Sequence, residues 1–219
     1  MTPPDCQACS LGEASAPHRC QFIEKRYRSG RRLVEQGFKT DGVYFVRSGL
    51  VFQDSVSPEG EARGSRLRGP GSLLGLECLR NAPAPCDVWT LTDVVLCRLD
   101  AGTFSQWLGP QRSPALTVLR MMTGGSDVFR DDFADTSEHT VQRTARLLLA
   151  CHDMERRMDL NTVPRHVLAR ALNVRAETLS RALRTLREQG ALVPRRKLAI
   201  LNEGTLRNAA RRPVYAAPA

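Results

Sequence analysis

Side chains able to do chemistry gather at two places in the 219-residue sequence. Near the front, Cys6, Cys9 and Cys20 form a Cys-x2-Cys…Cys group, with His18 just ahead of the last thiol. Thiolates at such spacing suit a metal or an iron–sulfur cluster. Cys6, Cys9, His18 and Cys20 could instead make a tetrahedral zinc site, which would pin the same Cys-, Pro- and Ala-rich segment. With no metal, the thiols would be redox-responsive or inert. Toward the other end, Glu177, Ser180 and Arg181 stand at i, i+3 and i+4, one face of a helix, while Leu179, Leu183 and Leu186 fall on the inward face. Arg181 has the planar fork that takes O6 and N7 of guanine, and Glu177 can accept from the N4 amine of cytosine. Arg184, Arg187 and the run Arg195-Arg196-Lys197 suit phosphate, and Arg175 is a further DNA-contact candidate.

Charge is distributed to match. The net formal charge is +9, and all of it lies in residues 137–219, which hold 16 Arg and Lys against 7 Asp and Glu. The first 136 residues carry 16 of each sign and are neutral. A basic back half is the footprint of a polyanion partner, here double-stranded DNA. Met1 to Ser10 has no apolar core of a signal sequence, and no run approaches the ~18 apolar residues of a membrane span. A cytoplasmic protein with no membrane contact is expected, and its seven cysteines should be reduced there.

The positioning elements follow from the pattern. Residues 1–20 have no helical or strand period and read as an irregular Cys-rich segment. Residues 21–112 read as short strands: Val43-Tyr44-Phe45-Val46, Leu50-Val51-Phe52 and Val94-Val95-Leu96-Cys97, punctuated by Gly60, Gly64, Gly69-Pro70-Gly71 and Asn81-Ala82-Pro83. Residues 113–136 suggest a long helix, with Ala115, Leu119, Met122, Phe129 and Phe133 on a heptad-like seam that a second copy could pair with. Gly124-Gly125 and the acidic group Asp127, Asp131 and Asp132 weaken that seam. Residues 137–219 read as a helix over Val141 to Met154, then Pro164 to Ala171. A turn at Leu172-Asn173-Val174 and a helix from Arg175 to Gln189, stopped by Gly190, complete the set. Leu192-Val193 and Leu198-Ala199-Ile200-Leu201 then flank a basic hairpin tip. Two helices, a short turn and such a hairpin are the layout of a winged helix-turn-helix.

These motifs resemble the cyclic-AMP receptor/FNR superfamily of transcription regulators along nearly the whole chain. Gly30, Leu33, Gly37, Val43-Tyr44-Phe45-Val46 and Ser48-Gly49 look like the first strands of its β-roll, and the helix from Pro114 looks like its dimerisation helix. Glu177-Thr178-Leu179-Ser180-Arg181 is similar to the Glu-x-x-Ser-Arg of the FNR branch. The resemblance implies an α+β protein with a cyclic-nucleotide-binding-type β-roll (jelly roll), a long dimerisation helix and a C-terminal winged helix-turn-helix. It implies a homodimer on a palindrome of TTGAT-type half-sites, with RNA polymerase as partner. It also implies a [4Fe–4S] cluster on Cys6, Cys9, Cys20 and Cys97, although the interval from Cys9 to Cys20 is longer than in the best-known members.

Cyclic AMP is not expected. The region of the family's phosphate cassette reads Leu73-Leu74-Gly75-Leu76-Glu77-Cys78, then Ala84-Pro85-Cys86-Asp87, with no Arg and with an Asp near the phosphate position. Haem has only His18 as an imidazole ligand in the sensor. An enzyme is not expected either, because no Cys–His dyad, phosphate loop or metalloprotease motif is present, and the adjacent Cys151 and His152 point apart on a helix. An adaptor using the winged helix for protein contacts is the alternative to DNA reading. Cys78, Cys86 and Cys151 read as small packing residues.

Overall fold

A computed structural model describes residues 20–58, 62–108, 118, 139–154, 161, 163–194 and 198–211. Contacts divide the chain into two units, one of residues 1–55 and 66–130, the other of 56–65 and 131–219.

The strands are β1 (Ile23–Tyr27), β2 (Arg32–Val34), β3 (Gly42–Ser48), β4 (Val51–Val56), β5 (Ala62–Arg68), β6 (Leu73–Leu74), β7 (Asp87–Thr90) and β8 (Val94–Asp100). They form two four-stranded sheets, in the orders β1-β8-β3-β6 and β2-β7-β4-β5. A 3₁₀ turn, Leu76–Arg80, follows β6, and a helix, α1 (Ala101–Leu108), follows β8. This is the expected β-roll. β3 and β8 pair antiparallel at the middle of their sheet, with Phe45 opposite Cys97 and Val46 opposite Leu96. Side chains alternate across a strand, so the pair sorts its residues into two sets. Tyr44, Val46, Val94 and Leu96 pack with Val34, Val51, Leu74 and Val88 in the roll interior. Val43, Phe45, Cys97 and Leu99 point to the other face, where α1 lies. The Tyr44 hydroxyl donates to the exposed Asp41 at Oδ1 (3.0 Å), and burial, followed by the Asp41 charge, pushes the hydroxyl pKa up to about 12.

Two features depart from the sequence reading. Ile23-Glu24-Lys25-Arg26-Tyr27 is mostly exposed and lacks an apolar period, yet it is a strand because backbone pairing with β8 over five residues holds it at the sheet edge. Gly64, read as a turn signal, lies within β5. The long helix expected over 113–136 falls outside the described residues apart from Val118. That residue is helical and buried, and it packs with Val43, Leu99 and Phe104.

The second unit contains α2 (Thr140–Met154), α3 (Arg165–Ala171), α4 (Ala176–Glu188) and α5 (Glu203–Ala210). α2 is buried on most sides, from Arg143 to Ala145 and from Leu147 to Cys151, and packs against α4 and α5. Its neighbour α3 ends in a Schellman arrangement: Val174 N donates to Ala169 O and Asn173 N to Arg170 O, both at 2.9 Å. Asn173 takes the left-handed conformation (φ 49°) this requires, which Asn tolerates better than most residues. α4 ends the same way at Gly190 (φ 76°), with Ala191 N on Leu186 O and Gly190 N on Arg187 O. The wing follows as a short antiparallel pairing, with Leu192 opposite Ile200 and Val193 N on Ala199 O at 3.0 Å. α5 was not anticipated from sequence; Asn202 caps it, accepting from Thr205 N at 3.0 Å, and Leu206 buries its inner face.

The β3–β4 turn is the tightest test of the roll. Gly49 has φ +82°, and a Cβ there would lie 2.3 Å from Asp93 O and 2.8 Å from Val94 Cγ1. Gly49→Ala should cost about 2–4 kcal/mol, from left-handed strain plus overpacking against backbone that cannot yield. The check is a lower denaturant midpoint with an unchanged m-value.

Candidate nucleic-acid interface and thiol site

α4 owes its orientation to its own leucines. Leu179, Ala182, Leu183 and Leu186 are buried, against α2 and α3. Their burial turns Arg175, Glu177, Ser180, Arg181 and Arg184 outward, and all five are exposed. Structure and sequence reading therefore agree on this face. Arg175 sits at the N-cap in an extended conformation (φ −70°, ψ 152°) and gives no side-chain cap. The first-turn N–H groups of α4 lack that acceptor, the arrangement in which helix N-termini take phosphate. Arg195, Arg196 and Lys197, read from the sequence as the hairpin tip, lie outside the described residues.

One contributor went unread in the sequence. Arg143 is only 3% exposed, and its Nη2 donates to the carbonyl of Leu172, the residue that closes α3. A cation at a helix C-terminus meets the negative end of the helix dipole. The side chain thus braces α2 against the turn that launches α4. The available signal was position: Arg143 precedes Leu147 and Ala150 by four and seven residues, so it shares their buried face.

In the β-roll unit, the two candidate ligand cysteines that fall among the described residues are placed unequally. Cys97 is 6% exposed and packs with Phe45, Phe22, Leu73 and Trp107 on the α1 side of its sheet. Cys20 is half-buried, two residues ahead of Phe22, and neither thiol is in a disulfide. Phe22 is held edge-on to Trp107 (5.7 Å, 87°) and to Phe104 (6.2 Å, 82°). Such pairs add about 0.5–1.5 kcal/mol beyond their buried area, which fixes where the chain enters β1. No helix intervenes between Cys20 and β1. Cys6, Cys9 and His18 lie outside the described residues, and among the described ones no group of three or more His, Cys, Asp or Glu could hold a metal.

The remaining thiols behave as packing residues. Cys151 is buried in α2, while Cys78 and Cys86 are half-buried. Burial, then Glu77 and Asp87, pushes the Cys86 thiol up to about 11 against the pull of Arg68 and Arg66. Asp87 itself accepts from Gln36 N at 2.8 Å and from Trp89 Nε1 at 3.3 Å.

A β-roll joined to a winged helix-turn-helix is the architecture of a class of transcription regulators. Residues 24–109 match the cyclic nucleotide-binding domain family and residues 142–209 the Crp-like helix-turn-helix domain family. The anaerobic regulatory protein of Haemophilus influenzae is 20% identical over 218 residues, covering 90% of this chain and 84% of that protein. The fumarate and nitrate reduction regulatory protein of Escherichia coli is 21% identical over 212 residues, covering 88% and 84%. In structure, a CRP/FNR-family transcriptional regulator from Thermus thermophilus superposes with a TM-score of 0.64 at 21% identity, covering 86% of this chain and 98% of that one. That last likeness speaks for the fold. The chain belongs to the CRP/FNR superfamily, a family of DNA-binding transcription regulators and not of enzymes. No helix among the described residues is long and apolar enough to cross a membrane.

The Arg143 brace yields a direct prediction. Arg143→Met keeps the stem but leaves the Leu172 carbonyl without its charged donor. Stability should fall by about 2–3 kcal/mol, read from denaturant melts, and DNA affinity should fall with it.

Proposed function

We propose that this regulator reads a TTGAT-type palindrome as a homodimer, and that a [4Fe–4S] cluster on Cys6, Cys9, Cys20 and Cys97 makes it responsive to oxidants. The observation that carries the sensing half is the placing of Cys97. Its side chain faces the patch where the chain arrives from Cys20, against Phe22. The donors are soft thiolates, which suit such a cluster. When bound, the cluster supplies an oxidant-labile cross-link between the N-terminal segment and the roll.

The chain's own residues give that cross-link a route to the dimer. Phe22, Leu73 and Trp107 touch the patch around Cys97 and also the neighbouring patch that seats Val118. Val118 belongs to the segment 113–136, whose glycine-interrupted seam is weak by itself. Ordering Cys20 and Phe22 steadies that helix, and losing the tie shifts the population toward monomer. Two-fold symmetry then sets two copies of α4 about 34 Å apart, one turn of DNA. Arg181 takes guanine, Glu177 takes cytosine, and Ser180 lies between them. Arg175, Arg184 and the wing residues Arg195, Arg196 and Lys197 hold phosphate. By family likeness RNA polymerase is the protein partner.

Two experiments test the two halves. In a gel shift on a TTGAT-N4-ATCAA duplex, Arg181→Ala should lose about 1–3 kcal/mol of preference over a scrambled duplex at each half-site. An unchanged preference would contradict base reading and favour an adaptor. Protein purified without oxygen should hold about four iron atoms per chain, with broad absorbance near ~400 nm that bleaches in air. Cys97→Ser should abolish the iron. Stoichiometric zinc that survives Cys97→Ser would instead place the metal on Cys6, Cys9, His18 and Cys20.

A further inference from the structure

Arg187 is in an unusual position. It lies in the last turn of α4, and its Nε and Nη2 are both shut off from solvent with no acceptor among the described residues. Buried donors of a charged group are nearly always paired, so an orphaned guanidinium calls for an explanation. Arg165, the first residue of α3, is exposed and close enough for its charge to act on Arg187. Burial first, and then the Arg165 charge, hold the Arg187 guanidinium below its usual pKa. An anion at Arg187 would fill its open donors and offset the influence of the Arg165 charge.

We propose that Arg187 and Arg165 form a clasp for a DNA backbone phosphate beside the groove that α4 reads. The proposal rests on the DNA-reading assignment above. Its location on the helix argues for phosphate and against a base. Arg187 follows Ser180 by seven residues, so it sits on the Ser180 edge of α4, away from the Glu177–Arg181 centre line. α3 packs on α4 and brings Arg165 to that edge. In a helix-turn-helix the first helix crosses the sugar–phosphate backbone, which puts a phosphate at this border. The planar Arg fork matches phosphate oxygens with two parallel bonds, and rotation about the long stem carries it outward.

The test measures binding of the full chain, purified without oxygen, to the palindrome and to a scrambled duplex of equal length across a salt series. Wild type, Arg187→Gln and Arg187→Lys are compared. Arg187→Gln should weaken both duplexes by the same factor and reduce the slope of log K against log salt by about 1 per recognition helix engaged. Arg187→Lys should restore most of the slope. Unchanged slope and affinity in the Gln variant would make Arg187 a packing residue and overturn the clasp. A loss confined to the palindrome would make it a base reader and overturn the clasp equally. If Arg187→Gln does not fold, Arg165→Gln carries the same expectations at an exposed position. A wild type with no preference for the palindrome would defeat the sequence-reading assignment, yet its salt slope on either duplex would still decide the clasp.

Discussion

The antiparallel ladder between β3 and β8 is the constraint on which the β-roll depends. Its register leaves no freedom in which side chains face inward. Tyr44, Val46, Val94 and Leu96 fill the roll, so Val43, Phe45, Cys97 and Leu99 must face α1. A slip of one residue in β8 would turn Cys97 into the roll and Leu96 toward α1. The only cysteine on a described strand is therefore delivered to the surface that also receives Phe22. The placing of this thiol is a consequence of the core, with no separate device needed.

The DNA-reading half obeys a similar logic with a different period. Leucine burial on α4 sets the helix's rotation about its own axis, and two chain reversals set where it starts and stops. Asn173 and Gly190 accept left-handed conformations at the ends of α3 and α4, and Arg143 ties the first reversal to α2. Once those apolar faces are packed, Arg175, Arg181 and Arg184 have no place but the open side. A surface so charged suits a polyanion, and its Arg character adds geometric selectivity for guanine and phosphate.

Legibility in the sequence followed the strength of periodicity. α4 was readable to within a residue at each end because Leu179, Leu183 and Leu186 repeat at helical spacing and Gly190 stops the run. The central strands were equally plain, since Val43–Val46 and Val94–Cys97 are nearly continuous apolar runs. β1 was not legible, because its residues are charged and its strand character comes from its partner β8. α5 was hidden by its brevity, although Asn202 three residues ahead of Thr205 was a usable capping signal. Arg143 was passed over because a charge inside an apolar helix reads as solvent-facing until Leu172 is seen opposite it. In the thiol set, Cys20 and Cys97 are related through Phe22, a residue with no chemistry to attract notice.

The central claim is that the outward face of α4 reads DNA sequence. The most direct measurement is selection of bound duplexes from a random pool by protein purified without oxygen, followed by sequencing. The account predicts enrichment of a two-fold symmetric site with half-site centres about one helical turn apart. A guanine–cytosine pair should stand at the position that Arg181→Ala relaxes. Enrichment without symmetry, or none above the starting pool, would contradict it.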